Sequence, residues 1–315
     1  MSDLDRNLFA VKDDLCAAHL ADRFPNLTAR APAFYQVSAG IAPIRKAPAY
    51  DAEQASQTLP GFSVAIYDEH GEFGWGQSLE DGYVGWFPME ALSAPVVTSS
   101  HRVTALRTYA YSGPSVKAQP HFLISLNGRV TVEERTERFS QIARTGWVAN
   151  RHLAPLDHDF AEDWVDVART FLGSPYQWGG RESLGLDCSG LVVSALGACG
   201  VPAPRDSYMQ AKWLGEPILE QPTSHRIILE TAQAGDFLFW KGHVGFVGGD
   251  GSGLTLIHSN ATHVCVVEEG LANALDWLEA AAGPATALRR VTETWIASAK
   301  EKSPPWMAGI DPNLF

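Results

Sequence analysis

No apolar run in this 315-residue chain is long enough to span a bilayer, which sets aside a membrane-spanning helix. Cationic residues are few: 24 Lys and Arg stand against 36 Asp and Glu, a formal net charge of −12. They form no Lys/Arg-rich block, so neither nucleic acid nor an anionic membrane is an expected partner. Cysteine is scarcer still. Its four copies, Cys16, Cys188, Cys199 and Cys265, lack the spacing of a disulfide framework. The N-terminal stretch from Met1 to Leu8 is polar and has no signal-peptide core. A cytoplasmic, reduced protein is therefore expected. What is plentiful says folded: 45% of residues are hydrophobic and ten are tryptophan. The length allows two or three domains; oligomeric state leaves no mark in the sequence.

Along residues 1–34, Leu8, Val11, Leu15, Ala18 and Leu20 predict a short amphipathic helix followed by a Pro/Ala-rich connector. From Phe34 the chain turns to short alternating segments. Ser63–Tyr67, Phe73–Gln77 and Tyr83–Phe87 read as strands, with Glu80-Asp81-Gly82 as a hairpin turn. That pattern predicts a small β-barrel over residues 35–93. Gly85-Trp86-Phe87 is followed by Leu92, and Gly146-Trp147-Val148 by Leu153 at the same spacing. The echo suggests a second copy over residues 94–156, with a long hairpin at Thr131–Arg138.

At Asp157 the texture shifts again. Asp159 can cap a helix carrying Phe160, Trp164, Val167, Ala168 and Phe171 on one face, ending at Gly173. A second helix carries Leu191, Val192, Ala195, Leu196 and Cys199, with Gly200 and Pro202 as its stop. After Gly235-Asp236 the segments Phe237–Trp240, His243–Val247, Thr255–His258 and Val264–Val267 read as a meander. Helices first and antiparallel strands second make an α+β domain over residues 157–298. The Gly248–Gly253 cluster loosely mimics a phosphate loop, but a strand follows it, so a hairpin turn is expected. The Pro-rich tail, residues 299–315, is expected to run as an extended surface strap.

Cys188 falls at the start of the second helix, between Asp187 and Ser189. Helix N–H groups and the macrodipole favour an anion there, so a thiolate nucleophile is expected. Thiol catalysis also needs an imidazole and a group to orient it. His243 and His258 lie on adjacent predicted strands and can meet across a hairpin, the first as base and the second as orienting group. The bland alternatives are a small core cysteine and two structural histidines. A zinc site from His243, His258, His263 and Cys265 is a third, though these lack compact ligand spacing.

Six segments in order carry a resemblance: Pro175–Gly180 (PYQWGG), Leu186–Leu191 (LDCSGL), Pro204–Gln210 (PRDSYMQ), Gly235–Phe239 (GDFLF), Gly242–Phe246 (GHVGF) and Leu256–Ser259 (LIHS). Together they resemble the NlpC/P60 family of papain-like bacterial cysteine peptidases. The resemblance implies an α+β papain-like domain in which Cys188 is the nucleophile, His243 the general base and His258 the third member. No metal or organic cofactor is implied. With two bacterial SH3-like (SH3b) barrels upstream, the whole chain resembles the γ-D-glutamyl-L-diamino-acid endopeptidases of the dipeptidyl-peptidase VI type. Those enzymes release L-Ala-γ-D-Glu from murein stem peptides during cell-wall recycling, so a murein-derived peptide is the implied partner.

By the same resemblance Tyr176 assists the oxyanion and Trp178 forms a cleft wall. Asp187, Ser189, Asp206 and Ser207 match substrate-recognising polar positions, and Tyr83 matches a tyrosine facing the substrate amine. Asp206-Ser207 also suits a helix cap, and Trp178 a core aromatic. One position departs from the pattern: Phe62 stands where a glutamate usually pairs with the amine. A related peptidase or amidase with another N-terminal preference, and a murein- or protein-binding module with a silent catalytic domain, are the alternatives.

Overall fold

The computed structural model of the polypeptide describes residues 5–221, 224–249, 251–301 and 304–314. Met1–Leu4, Asp250 of the predicted Gly248–Gly253 turn, and Lys302, Ser303 and Phe315 of the tail lie outside the described residues. Two units are distinguished: residues up to Asp159 together with those from Pro305 onward, and Phe160–Pro304. No described helix is long and apolar enough to cross a membrane.

In the first unit, alternation drives strand formation. Tyr83 and Phe87 share one side of their strand and pack with Val37, Ala42, Ile44, Val64 and Ile66; Val84 lies on the other side. Among the described residues seven antiparallel strands result, in the spatial order Gln54–Thr58, Ala42–Arg45, Val84–Pro88, Phe73–Ser78, Ser63–His70, Ala33–Val37 and Leu92–Ser93. The predicted N-terminal helix is absent. Leu15–Ala17 is instead a strand, parallel to Thr28–Arg30, and Ala18–Leu20 is a 3₁₀ turn. Leu15 and Leu20 are still buried, with Val11 and Phe24, against Ala65, Tyr67 and Trp75. Tertiary burial of an extended segment satisfied the same apolar residues and overrode the helical period.

A second group of strands follows. Arg129–Val130, His101–Val103 and Leu153–Pro155 form one sheet. Pro120–Ser125, Arg107–Tyr111, Gly146–Ala149, Phe139–Ile142 and Val132–Arg135 form another. Val103, Ala110, Ile124, Val130, Ile142 and Val148 fill the core. The two echoing segments adopt the same sequence of elements: Val84–Pro88 and Gly146–Ala149 each lead into a 3₁₀ turn and a short strand. Each short strand then pairs antiparallel with the first strand of its own group. The tail is not an extended strap. Pro305–Met307 and Pro312–Leu314 are 3₁₀ turns, and Trp306 and Ile310 are buried beside Gly82.

Among the described residues the second unit holds six α-helices: α1 (Trp164–Arg169), α2 (Cys188–Ala198), α3 (Ser207–Trp213), α4 (His225–Thr231), α5 (Leu271–Ala282) and α6 (Glu293–Glu301). Its antiparallel sheet runs Glu216–Glu220, Ala287–Arg290, Phe237–Trp240, His243–Gly249, Leu254–Asn260, Cys265–Gly270. Leu238, Trp240, Val247 and Leu256 face α4 and α5. Phe237, Phe239, Phe246 and Ile257 alternate with them toward α1 and α2. Asp163, rather than Asp159, caps α1 through a 2.7 Å bond from the Val165 N–H; Asp159 lies outside the helix at φ 57°. Helix α2 is buried on nearly every side, as befits a central element, and Gly200 beyond its end takes φ 68°.

Candidate active site

Cys188 is the first residue of α2, and Asp187 is its N-cap. The Asp187 carboxylate is engaged on both oxygens. Oδ1 accepts from the Gly190 N–H at 2.7 Å, from Ser189 Oγ at 3.1 Å and from Arg205 Nη1 at 3.0 Å. Oδ2 accepts from the Gly179 N–H at 2.9 Å and Arg205 Nη2 at 2.8 Å. Arg205, 1% exposed, also bonds Ser189 Oγ and the Gly180 carbonyl. This paired, fork-shaped contact satisfies a buried charge and fixes three segments around the cysteine. Asp187 and Ser189, matched by resemblance to substrate-recognising positions, thus spend these bonds on the protein's own frame. Arg205 belongs to the Pro204–Gln210 segment, whose sequence alone does not mark it as the partner of Asp187.

Ser259 Oγ donates to the Leu186 carbonyl at 2.7 Å, tying the histidine-bearing strand to the start of α2. Cys188 Sγ lies 4.0 Å from the Gly242 carbonyl and also meets the Val244 N–H, so it touches the peptide groups on either side of His243. His243 Nε2 is 2.8 Å from His258 Nδ1. His258 is fully buried, and its Nε2 faces Glu269 Oε1 at 3.0 Å and Asn260 Nδ2 at 3.2 Å. Glu269 Oε2 accepts from Trp277 Nε1 of α5 at 3.0 Å. A chain of polar groups therefore runs from the cysteine strand contact into the interior.

Burial pushes the Cys188 thiol up to about 12, with the Asp187 charge adding to the rise. Burial also pushes His243 down to about 3, aided by His258. Burial thus favours the neutral thiol at Cys188 and the neutral imidazole at His243. The expected resting thiolate is corrected: desolvation outweighs the N–H groups of Ser189 and Val244, which act in the opposite direction. Burial above all raises the Tyr176 hydroxyl, keeping it a donor.

The remaining predicted residues divide. Trp178, 61% exposed, projects from the loop before the Cys188 segment. Asp206 occupies the N-cap position of α3 without a side-chain cap bond, Ser207 is the first residue of that helix, and Tyr208 is 51% exposed. Tyr83, expected to face a substrate amine, is 4% exposed within its own unit's apolar cluster; the strand's alternation turns it inward with Phe87. Phe62 is buried beneath the Arg129 guanidinium, 4.8 Å from ring centre, and Arg129 pairs with Glu80 at 2.8 Å. The zinc alternative gains no support: His243 and His258 are bonded to each other, and among the described residues no three His, Cys, Asp or Glu side chains are grouped to hold a metal.

Glu269, Asn260 and Trp277 were missed by the sequence reading. The available signal was the Glu268-Glu269 pair on an otherwise apolar strand; neighbours on a strand face opposite ways. Glu268 goes to Arg169 of α1 and Thr255, Glu269 to His258.

A family model described as "NlpC/P60 family" matches residues 173–273, and one described as "Bacterial dipeptidyl-peptidase Sh3 domain" matches residues 44–92. The chain is 36% identical over 226 residues to a gamma-D-glutamyl-L-lysine dipeptidyl-peptidase of Bacillus subtilis (strain 168), covering 66% of this chain and 72% of that protein. It is 40% identical over 88 residues to dipeptidyl-peptidase 6 of Lysinibacillus sphaericus, 28% of this chain and 29% of that one. The solved structure of an NlpC/P60 family protein from Bacillus cereus ATCC 10987 shares the fold, with a TM-score of 0.65 at 20% identity over 82% of this chain and 99% of that chain.

Proposed function

Because the chain belongs to the NlpC/P60 family and is a peptidase carrying a bacterial SH3 domain, we propose that it cuts the γ-D-Glu–diamino acid bond of murein stem peptides with a free N-terminal L-Ala. The observation that carries this reading is Cys188 Sγ lying against the peptide groups flanking His243, whose Nε2 is bonded to His258. His243 Nδ1 takes the thiol proton as sulfur attacks the γ-carbonyl carbon. The C=O electron pair moves onto oxygen, where the Cys188 N–H at the start of α2 and the Tyr176 hydroxyl donate to it. Collapse expels the amine, which receives the proton from His243, and leaves a thioester. Water, deprotonated by His243, attacks that thioester; the γ-carboxylate leaves and the thiol is restored.

Trp178, Asp206 and Ser207 line the substrate side in this reading, while Asp187 and Ser189 hold Cys188 in place through Arg205. The second strand group is a second SH3b barrel, supported by the shared strand–turn–strand succession. Recycling of wall peptides in the cytoplasm is the proposed setting, which the four free cysteines suit.

Phe62 favours a second reading. Where a carboxylate would pair with the substrate amine, this chain has an aromatic ring already covered by a guanidinium. A related peptidase with a different N-terminal preference follows from that. Incubation with L-Ala-γ-D-Glu-diamino acid peptide, free or N-acetylated, tests both. Cleavage by the wild type and none by Cys188→Ala is expected; equal cleavage by the two proteins sinks the mechanism. Equal rates on free and acetylated peptide would select the second reading.

A further inference from the structure

A neutral imidazole has one N–H and one bare nitrogen, so each ring in a histidine pair must choose a tautomer. At His258 the choice is contested. Its Nε2 meets Glu269 Oε1 at 3.0 Å and Asn260 Nδ2 at 3.2 Å. A carboxylate can only accept and an amide nitrogen can only donate, so the two neighbours make opposite demands.

Neither neighbour can turn to relieve the conflict. Asn260 is oriented by its Oδ1, which accepts from the His263 N–H at 2.7 Å. Glu269 is oriented by its second oxygen, which accepts from Trp277 Nε1 at 3.0 Å, an N–H that only donates. Suppose Asn260 prevailed. Nε2 would be bare, Nδ1–H would donate to His243 Nε2, and the His243 proton would sit on Nδ1. That nitrogen would then be unable to take the Cys188 proton. Suppose Glu269 prevails. Nε2–H donates to the carboxylate, bare Nδ1 accepts from His243 Nε2–H at 2.8 Å, and His243 Nδ1 is bare.

We infer that Glu269 is a positioning residue: its carboxylate, anchored by Trp277, sets the direction of the His243–His258 relay so that His243 presents an unprotonated Nδ1 to Cys188. The inference rests on the peptidase reading above. Charge decides the contest, because an N–H donated to a carboxylate forms a stronger bond than one donated by a neutral amide to a neutral ring. Consistently, the bonds from His258 and Trp277 hold the Glu269 carboxyl below its usual range against the opposing effect of burial.

The test uses full-length protein and ¹⁵N NMR of its histidines, with peptide kinetics alongside. Wild-type His258 is expected as the Nε2–H tautomer, and Glu269→Ala as Nδ1–H. The variant's kcat is expected to fall about 100-fold with KM nearly unchanged. Glu269→Ala/Asn260→Asp places a carboxylate on the other side of Nε2, and should recover both the tautomer and at least tenfold of the lost kcat. A wild-type Nδ1–H tautomer, a folded Glu269→Ala with undiminished kcat, or a double variant that regains the tautomer but no rate would each overturn the inference. The wild-type spectrum needs no substrate, so it stands apart from the test of peptidase activity by Cys188→Ala.

Discussion

The thiol of Cys188 feels the N–H groups at the start of α2 and the Arg205 charge on one side of the balance, and burial with the Asp187 charge on the other. A helix terminus contributes at most about 2 kcal/mol, whereas full burial shifts an ionisable group by up to about 3–5 pKa units, so burial prevails. His243 moves the opposite way for the same reason. The consequence is a stability curve with two limbs. Below pH 6.5 the unfolded chain protonates His243 while the folded chain holds it neutral down to about 3, so stability falls as pH drops through that window. Above pH 9.0 the unfolded chain ionises Cys188 while the folded chain keeps the proton to about 12, so stability falls again as pH rises. Urea midpoints measured from pH 4 to 11 should therefore drop at both ends. His243→Gln should flatten the acid limb and Cys188→Ala the alkaline one; an acid limb unchanged by His243→Gln contradicts the assignment.

One glycine decides how closely two elements of the site approach. A Cβ on Gly190, in the first turn of α2, would lie 2.1 Å from the Gly180 carbonyl oxygen. Backbone must move to admit it, so Gly190→Ala should cost about 1–3 kcal/mol in urea unfolding and lower kcat, because Cys188 sits two residues away. Wild-type stability and rate in that variant would show that the contact is slack. Gly190 was legible in the sequence only as part of a segment; its crowding depends on a loop ten residues upstream. Other features were open to direct reading. Gly200 and Pro202 marked the end of α2, and alternation marked the meander strands. The role of Glu269 was not open in this way. Period 2 says that Glu268 and Glu269 face apart, but only the register, His258 opposite Val267, decides which of them reaches the histidine. The N-terminal segment misled for a related reason: its apolar residues are buried as expected, in a strand and turns that local periodicity cannot distinguish from a helix.

At the scale of the whole chain, the polypeptide leaves the first unit at Asp159 and re-enters it at Pro305. The returning segment is held by burial of Trp306 and Ile310, by His19 Nε2 at 3.0 Å from the Gly309 carbonyl, and by close contact of Gly309 with Leu8. A Cβ on Gly309 would stand 1.8 Å from the Leu8 carbonyl oxygen, so Gly309→Ala should undock the segment. Limited proteolysis followed by mass spectrometry is expected to show cleavage within 305–314 in that variant and protection in the wild type; equal protection would mean the dock tolerates the methyl group. The peptidase unit is in effect an insertion with two covalent leashes. One backbone nick at the 159–160 junction would leave both fragments joined through the docked return, surviving a native gel as a single species and parting only in detergent.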